Sequence, residues 1–263
     1  MAEAAAEAPH ELSAPAGFDR VWPLVEPIEG WLSREQAAAL YAAAGTVKPG
    51  YWIVELGSHH GRSTVALAKG RREAAGVLAV DPFPSPGEAG RGEAAYRAFL
   101  ANLRRTGVES EVTLFPGTSA AAAEVFEILT EAAGEPSRGA GIGLLFVDAL
   151  HDRSSVLGDI ASWEPRVAEG GLVCFHDAFF RLGVTLALLQ RHLMSSEFRY
   201  LGSVGNLAIF RRQFAGTRPA LLDSLRLLAR LGYFARNLIV TLAVRRNWRW
   251  LQRLVPPEKD FEY

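Results

Sequence analysis

The chain has 263 residues, enough for one sizeable α/β domain with appendages. Apolar residues make up 49% and charged ones 22%, a globular composition, and the formal net charge of −1 supplies no overall field to draw in nucleic acid. The one cysteine, Cys174, excludes an internal disulfide and a thiolate metal cluster, and its apolar surroundings predict a buried, inert thiol.

Residues 1–17 are rich in Ala, Glu and Pro without an apolar face, which predicts a disordered N-terminus. They lack a basic stretch followed by an apolar core, so no secretory signal is expected, and a cytoplasmic location is. Residues 18–50 predict an N-terminal helical cap. Ser33 is placed to cap a helix with Gln36 three residues on, Leu40 and Tyr41 fall on its apolar side, and Gly45 with Pro49-Gly50 ends it.

Residues 51–212 alternate short apolar runs with longer helical stretches. Strands are predicted at Trp52–Leu56, Val77–Val80, Val112–Phe115, Leu144–Val147 and Leu172–Phe175. Helices are predicted at Ser63–Lys69, Glu93–Arg105, Ser119–Ala133, Ser154–Trp163 and Val184–Met194. Such alternation means a parallel sheet covered on both faces. Two more runs, Phe198–Leu201 and Leu207–Phe210, flank Gly205-Asn206, which reads as a hairpin turn. The expected fold is therefore α/β: a Rossmann-like, doubly wound, mostly parallel seven-stranded sheet with an antiparallel terminal hairpin.

Residues 213–263 predict a basic amphipathic helical extension. Between Arg218 and Arg253 stand eight arginines and one acid, Asp223, while Leu221, Leu225, Leu228, Ala235, Ile239 and Leu242 approximate one helical face. The uncharged run Asn237–Val244 is far shorter than the ~20 residues of a membrane span. Three roles stay open: a helix docked on the domain or in a homo-oligomer interface, a peripheral helix on the inner membrane face, or a nucleic-acid arm. Trp248 and Trp250 beside the arginines favour an interface with lipid or protein, and no nucleic-acid partner is expected.

The densest chemistry follows the first strand, at Glu55-Leu56-Gly57-Ser58-His59-His60-Gly61-Arg62-Ser63. Gly57 and Gly61 let a ligand approach the main chain. Their G-x-x-x-G spacing is not the dinucleotide fingerprint G-x-G-x-x-G, and Glu55 would repel a phosphate. A ligand with a cationic end and a ribose diol suits the turn better, and S-adenosylmethionine is such a ligand. Further polar residues end the later strands: Asp81, the Gly117-Thr118-Ser119 turn, Asp148 and the pair His176-Asp177. All would lie along the carboxyl edge of the sheet, where open α/β folds bind ligands.

These blocks, together with Leu145-Phe146-Val147-Asp148…His151-Asp152 and Gly170-Gly171-Leu172-Val173…His176-Asp177, resemble class I S-adenosylmethionine-dependent methyltransferases. Within that class, the resemblance is to the catechol O-methyltransferase-like enzymes and the bacterial sugar and natural-product O-methyltransferases, over about residues 28–212. It implies that Glu55, Gly57, Ser58, Gly61 and Ser63 hold the methionine end of the cofactor. Asp81 would hold the ribose, and Gly117 and Ser119 would lie near the adenine. In the metal-dependent branch, Asp148, His176 and Asp177 would bind Mg2+ or another divalent cation. His176 departs from the oxygen-only pattern there, and imidazole suits other metals better than magnesium. His151 matches the loop position of the base that takes the hydroxyl proton, with Asp148 beside it; its plain alternative is a loop residue at a helix start. His59 and His60 face either substrate or solvent.

The expected function is O-methylation of a small hydroxylated acceptor (a sugar, a glycolipid headgroup or a natural product) assisted by a divalent metal. Three alternatives stand beside it: a nicotinamide-dependent oxidoreductase, a non-catalytic membrane-associated module with the same fold, and metal-independent transfer in which Asp148 and Asp177 position the substrate and His151 works alone.

Overall fold

The apolar runs form strands β1 (Trp52–Leu56), β2 (Gly76–Asp81), β3 (Val112–Pro116), β4 (Ile142–Val147), β5 (Val167–Phe175), β6 (Phe198–Val204) and β7 (Leu207–Arg212). The computed structural model describes residues 17–72, 75–83, 91–132, 141–214 and 217–256. The strands make one sheet in the order β3-β2-β1-β4-β5-β7-β6. The pairs β1–β2, β2–β3, β1–β4 and β4–β5 are parallel, and β5–β7 and β6–β7 are antiparallel. The order reverses between β1 and β4, which is the switch point where such sheets open a ligand crevice.

Helices α1 (Phe18–Val25), α2 (Arg34–Thr46), α3 (Arg62–Gly70) and α4 (Arg91–Thr106) precede or connect the first strands. Helices α5 (Ser119–Glu124), α6 (Phe126–Ala132), α7 (Arg153–Trp163) and α8 (Leu182–His192) follow β3, β4 and β5. Alternation along the strands sorts the core into two layers. Ile53, Val77, Ala79, Leu144, Phe146 and Cys174 pack with α1–α4. Trp52, Val54, Leu56, Leu145, Val173 and Phe175 pack with α5–α8. Cys174 is buried, and burial pushes its thiol up to about 12, so it stays protonated and inert.

The capping box forms as expected: Ser33 Oγ accepts from the Gln36 amide and Gln36 Oε1 accepts from the Ser33 amide. The helix ends later than predicted. Gly45 lies inside α2, which stops at Thr46 before Val47 turns extended ahead of Pro49. The single helix predicted at Ser119–Ala133 is two, because Val125 leaves the helical region (φ −115°, ψ 11°) and Arg166 takes the Ala123 carbonyl. The strand expected at Leu172 starts at Val167, and Gly170 at φ +82° accommodates the extra length. Gly205-Asn206 makes the hairpin turn between β6 and β7.

Among the described residues, the C-terminal extension is three helices rather than one: α9 (Thr217–Ala229), α10 (Leu231–Arg245) and α11 (Arg249–Leu254). The leucine face read from the sequence points outward. Leu221, Leu225, Leu228, Ile239 and Leu242 are exposed, while Asp223, Ser224 and Asn237 are buried. The 27-residue segment Pro219–Arg245 contains an 18-residue window of mean hydropathy 1.4, long and apolar enough by length and composition to cross a membrane, although the shorter uncharged run suggested otherwise. The expected disorder of residues 1–17 lies outside the described residues apart from Gly17.

Candidate active site

Register brings the predicted residues into one row. Leu56 pairs with Val80 and Val147, and Val147 pairs with Phe175. The next residues along these strands are Gly57, Asp81, Asp148 and His176. The ladder runs one step further through them: Gly57 N–H donates to Val80 O (2.8 Å), Asp148 N–H to Leu56 O (2.8 Å) and His176 N–H to Val147 O (3.0 Å).

Beside the row lies a cavity of about 300 Å3, the lower end of small-ligand site volumes. Gly57, Ser58, Asp81 and Asp148 form its floor, and Glu29, Trp31, His59, His60, Leu150 and His151 form its walls and mouth. Gly57 (φ +89°) and Gly61 (φ +86°) are both left-handed, and Gly61 precedes the first turn of α3. Asp81 Oδ2 accepts from the Ser58 and His59 amides (2.9 and 2.8 Å), which holds the turn and leaves Oδ1 for a ligand.

Glu55 does not line the cavity. Strand alternation sends it beneath α3, where Ser58 Oγ (2.7 Å) and Thr64 Oγ1 donate to its Oε2. Oε1 is buried and lacks a hydrogen-bond partner. Burial pushes the carboxyl up to about 7, against the hydrogen bonds from Ser63, Thr64 and Ser58 and with a further push from Asp148. A cation bound above the turn would ionise it. The folded value lies above the ordinary 4.5, so Glu55 favours the fold at low pH, and that contribution is lost as pH rises from 4.5 to 7. The ligand-free protein should therefore lose up to roughly 3 kcal/mol against Glu55→Gln between pH 5 and 8. Urea unfolding of both proteins checks this, and equal pH dependence would refute it.

Ser63 is buried in the first turn of α3, within reach of Glu55. Ser119 is committed elsewhere. Thr118 caps α5, and the Ser119 hydroxyl accepts from Trp163 Nε1 (2.8 Å), which directs it toward α7. Gly117 stands next to it, one residue beyond Pro116, the partner of Asp81 in the register.

The polar cluster at the mouth is tightly wired. His151 Nε2 lies 3.3 Å from Asp177 Oδ2 and 3.7 Å from Asp148 Oδ1. His176 Nδ1 is 3.1 Å from Asp148 Oδ1. Arg181 Nε donates to Asp177 Oδ2 (3.3 Å), and Asn206 Nδ2 donates to Asp177 Oδ1 (2.7 Å). Burial pulls the His176 imidazole down. The Asp148 and Asp177 carboxylates outweigh it and push it up to about 9, so His176 is cationic at neutral pH. Burial likewise raises Asp148, but His176 and His151 hold it below the ordinary carboxylate value. Asp177 and Phe179 adopt φ of +56° and +58°, the strained backbone that collects at functional sites. Asp152, not His151, caps α7, accepting from Ser155 N–H (3.0 Å). That leaves the His151 side chain free of the capping role. A Cβ on Gly183 would stand 2.2 Å from His151 O, so only glycine there lets α8 pack against the His151 loop.

This donor set does not fit the divalent cation that the sequence suggested. His176 Nδ1 lies 3.1 Å from Asp148 Oδ1, so this imidazole nitrogen is spent on a carboxylate. Both Asp177 oxygens accept from protein donors, and Arg181 and His176 already balance the two carboxylates. Among the described residues, no group of three His, Cys, Asp or Glu side chains is arranged to hold a metal.

Several site residues were not foreseen. Asn206, expected only to turn a hairpin, is buried between Asp177 and the Gln36 amide, so it ties the capping box of α2 to the polar cluster. Arg62 donates to the carbonyls of Leu32 (3.0 Å) and Ile28 (2.6 Å), clamping the segment that carries Trp31 against the cofactor turn. Its neighbours gave no local signal, since these partners lie about thirty residues away.

The sheet order, the glycine turn at the switch point and the acidic row define a Rossmann-like methyltransferase fold. Residues 54–178 match a family model described as a methyltransferase domain, a span that runs from β1 through Asp177. Over that span the chain is similar to methyltransferase domains, and its fold is that of the class I S-adenosylmethionine-dependent methyltransferases. The dinucleotide-dependent rival finds no support in the turn or in this match.

Solved structures share the fold. The cofactor-bound protein Rv0187 from MTB is 15% identical with a TM-score of 0.52, over 76% of this chain and 91% of that one. A protein from Corynebacterium glutamicum is 12% identical with a TM-score of 0.53, over 77% and 92%. The methyltransferase PaMTH1 of Podospora anserina, solved with S-adenosylhomocysteine, is 16% identical with a TM-score of 0.51, over 78% and 91%. No curated protein sequence matches the chain.

The cavity fits S-adenosylmethionine. Its carboxylates suit a cationic ligand, and Glu55 Oε1 is a buried oxygen in want of a positive charge. The Gly57–Gly61 turn and Asp81 would hold the cofactor there.

Proposed function

We propose that the protein methylates a hydroxyl group of a small molecule, such as a sugar, a glycolipid headgroup or a natural product, without a divalent cation. The observation that carries this reading is the contact of His151 with Asp177, 3.3 Å apart at the mouth of the cofactor cavity. The bound cofactor supplies an activated methyl group on a sulfonium. The chain's own residues then have two tasks: to align the acceptor oxygen and to remove its proton.

Alignment falls to Trp31 and Leu150, exposed at the mouth, and to Asp148. Proton removal falls to His151. With Nε2 held by Asp177, Nδ1 is the nitrogen left to take the proton, and the carboxylate steadies the imidazolium that forms. Asp177 is fixed in turn by Asn206 and Arg181, so the base has an orienting partner that is itself oriented.

Calorimetric titration with S-adenosylhomocysteine tests the cofactor, and labelled methyl transfer to a panel of hydroxylated acceptors tests the reaction. Binding should be lost in Asp81→Ala. EDTA should leave turnover within about twofold, because removing a true catalytic metal costs orders of magnitude. Transfer abolished by EDTA and restored by a divalent cation would overturn the metal-free reading.

A further inference from the structure

The C-terminal helices are mounted with their apolar residues facing out. Leu221, Leu225 and Leu228 on α9 and Leu238, Ile239 and Leu242 on α10 are all exposed, Leu225 at 55%. A helix packed on a globular domain ordinarily buries such a stripe. Here the anchoring faces bury Leu227 and Val240 together with polar groups that fix the orientation. Arg199 and Arg226 bond Asp223, Ser224 Oγ accepts from Met194 N–H (2.7 Å), and Asn237 Nδ2 donates to Phe179 O (3.2 Å). Rolling the leucines inward would break all of these bonds. The outward orientation is built in, and an exposed apolar surface of this kind marks an interaction site.

Charge selects the occupant. Between Arg218 and Arg253 the single acid, Asp223, is buried and paired, while Arg245, Arg246, Arg249 and Arg253 are exposed. Trp248 and Trp250 stand among these arginines, Trp250 at 63% exposure. Leucines beside tryptophans and arginines suit the boundary between acyl chains and anionic headgroups. A second copy of this chain suits it poorly, because a two-fold contact would set arginine against arginine.

We propose that α9–α11 dock peripherally on an anionic lipid bilayer, with the leucines and tryptophans at the acyl boundary and the arginines on lipid phosphates. The helices lie in the plane of the surface. Although Pro219–Arg245 has the length of a span, Asp223 and Asn237 fasten it to the methyltransferase domain.

The test is co-sedimentation of the full chain with vesicles, either phosphatidylcholine alone or with about one-third phosphatidylglycerol. Two variants accompany it, Leu225→Asp/Ile239→Asp and Arg245→Glu/Arg246→Glu/Arg249→Glu. Their S-adenosylhomocysteine binding confirms that they fold. The wild type should bind the anionic vesicles about tenfold or more better than the neutral ones and come off in alkaline carbonate, and both variants should lose binding. Failure to bind anionic vesicles, or equal binding by the arginine variant, overturns the proposal. So does retention in carbonate, which means a span. So does a dimer in light scattering that the leucine variant dissociates, since the face then belongs to a second copy.

Discussion

Replacing His151 by alanine is expected to lower kcat for methyl transfer about 10²–10⁴-fold, the usual worth of a positioned base. S-adenosylhomocysteine should bind as before, because His151 stands at the mouth and the cofactor turn is held by Asp81 and Glu55. Asp177→Asn should act through the same step. The amide keeps an oxygen for Asn206 but withdraws the charge from His151 and Arg181. We expect a smaller loss, about 10–10³-fold, falling on kcat rather than on acceptor KM. If the two residues form one unit, the double variant will be no worse than His151→Ala alone. Independent losses that multiply would mean that Asp177 touches the acceptor itself. An alanine variant with full activity would leave the cluster without a base and return the proton to solvent.

Why these partners could be foreseen only in part follows from how strands carry information. A residue at a strand end is placed by the register of the sheet, and the register follows from hydrophobic pattern. Thus Asp81, Asp148 and the pair His176-Asp177 are legible from the sequence as strand ends along one edge of the sheet. The side chains they meet are not so constrained. Asn206 reaches Asp177 because the antiparallel hairpin folds back beside β5, and nothing local to Gly205-Asn206 encodes that contact. Glu55 was read as a cofactor ligand from its place before the glycine turn. Strand alternation instead buries it under α3, where it braces the turn and waits for a charge. The partner of Ser119 is equally non-local, because its hydroxyl accepts from the indole of Trp163. The metal set met a different partnering. Residue types at the right spacing suggest a chelate, but the Asp148 and Asp177 carboxylates, against the pull of burial, favour a charged His176 that pairs with Asp148.

Gly57→Ala should severely weaken cofactor binding, and the geometry gives two separable reasons. The first is backbone strain: φ is +89°, where an L side chain costs roughly 1–2 kcal/mol. The second is contact, since a Cβ there would lie 2.2 Å from Asp148 O and 2.7 Å from its carbonyl carbon. Neither atom is a flexible chain end, so the β4–α7 junction must move. That junction carries the Asp148 amide bonded to Leu56 O, and with it the acidic row beside His151. Gly107→Ala separates the two terms. Gly107 is also left-handed at φ +68°, but an added Cβ would meet nothing within 4 Å. It should cost stability of about 1 kcal/mol and leave S-adenosylhomocysteine affinity untouched. Gly57→Ala should weaken that affinity about 100-fold or more, beyond what strain alone explains. Equal effects in the two variants would reduce Gly57 to a tolerant turn. A difference of the expected size would show that the cofactor site and the acidic row share one backbone contact, so neither can shift without the other.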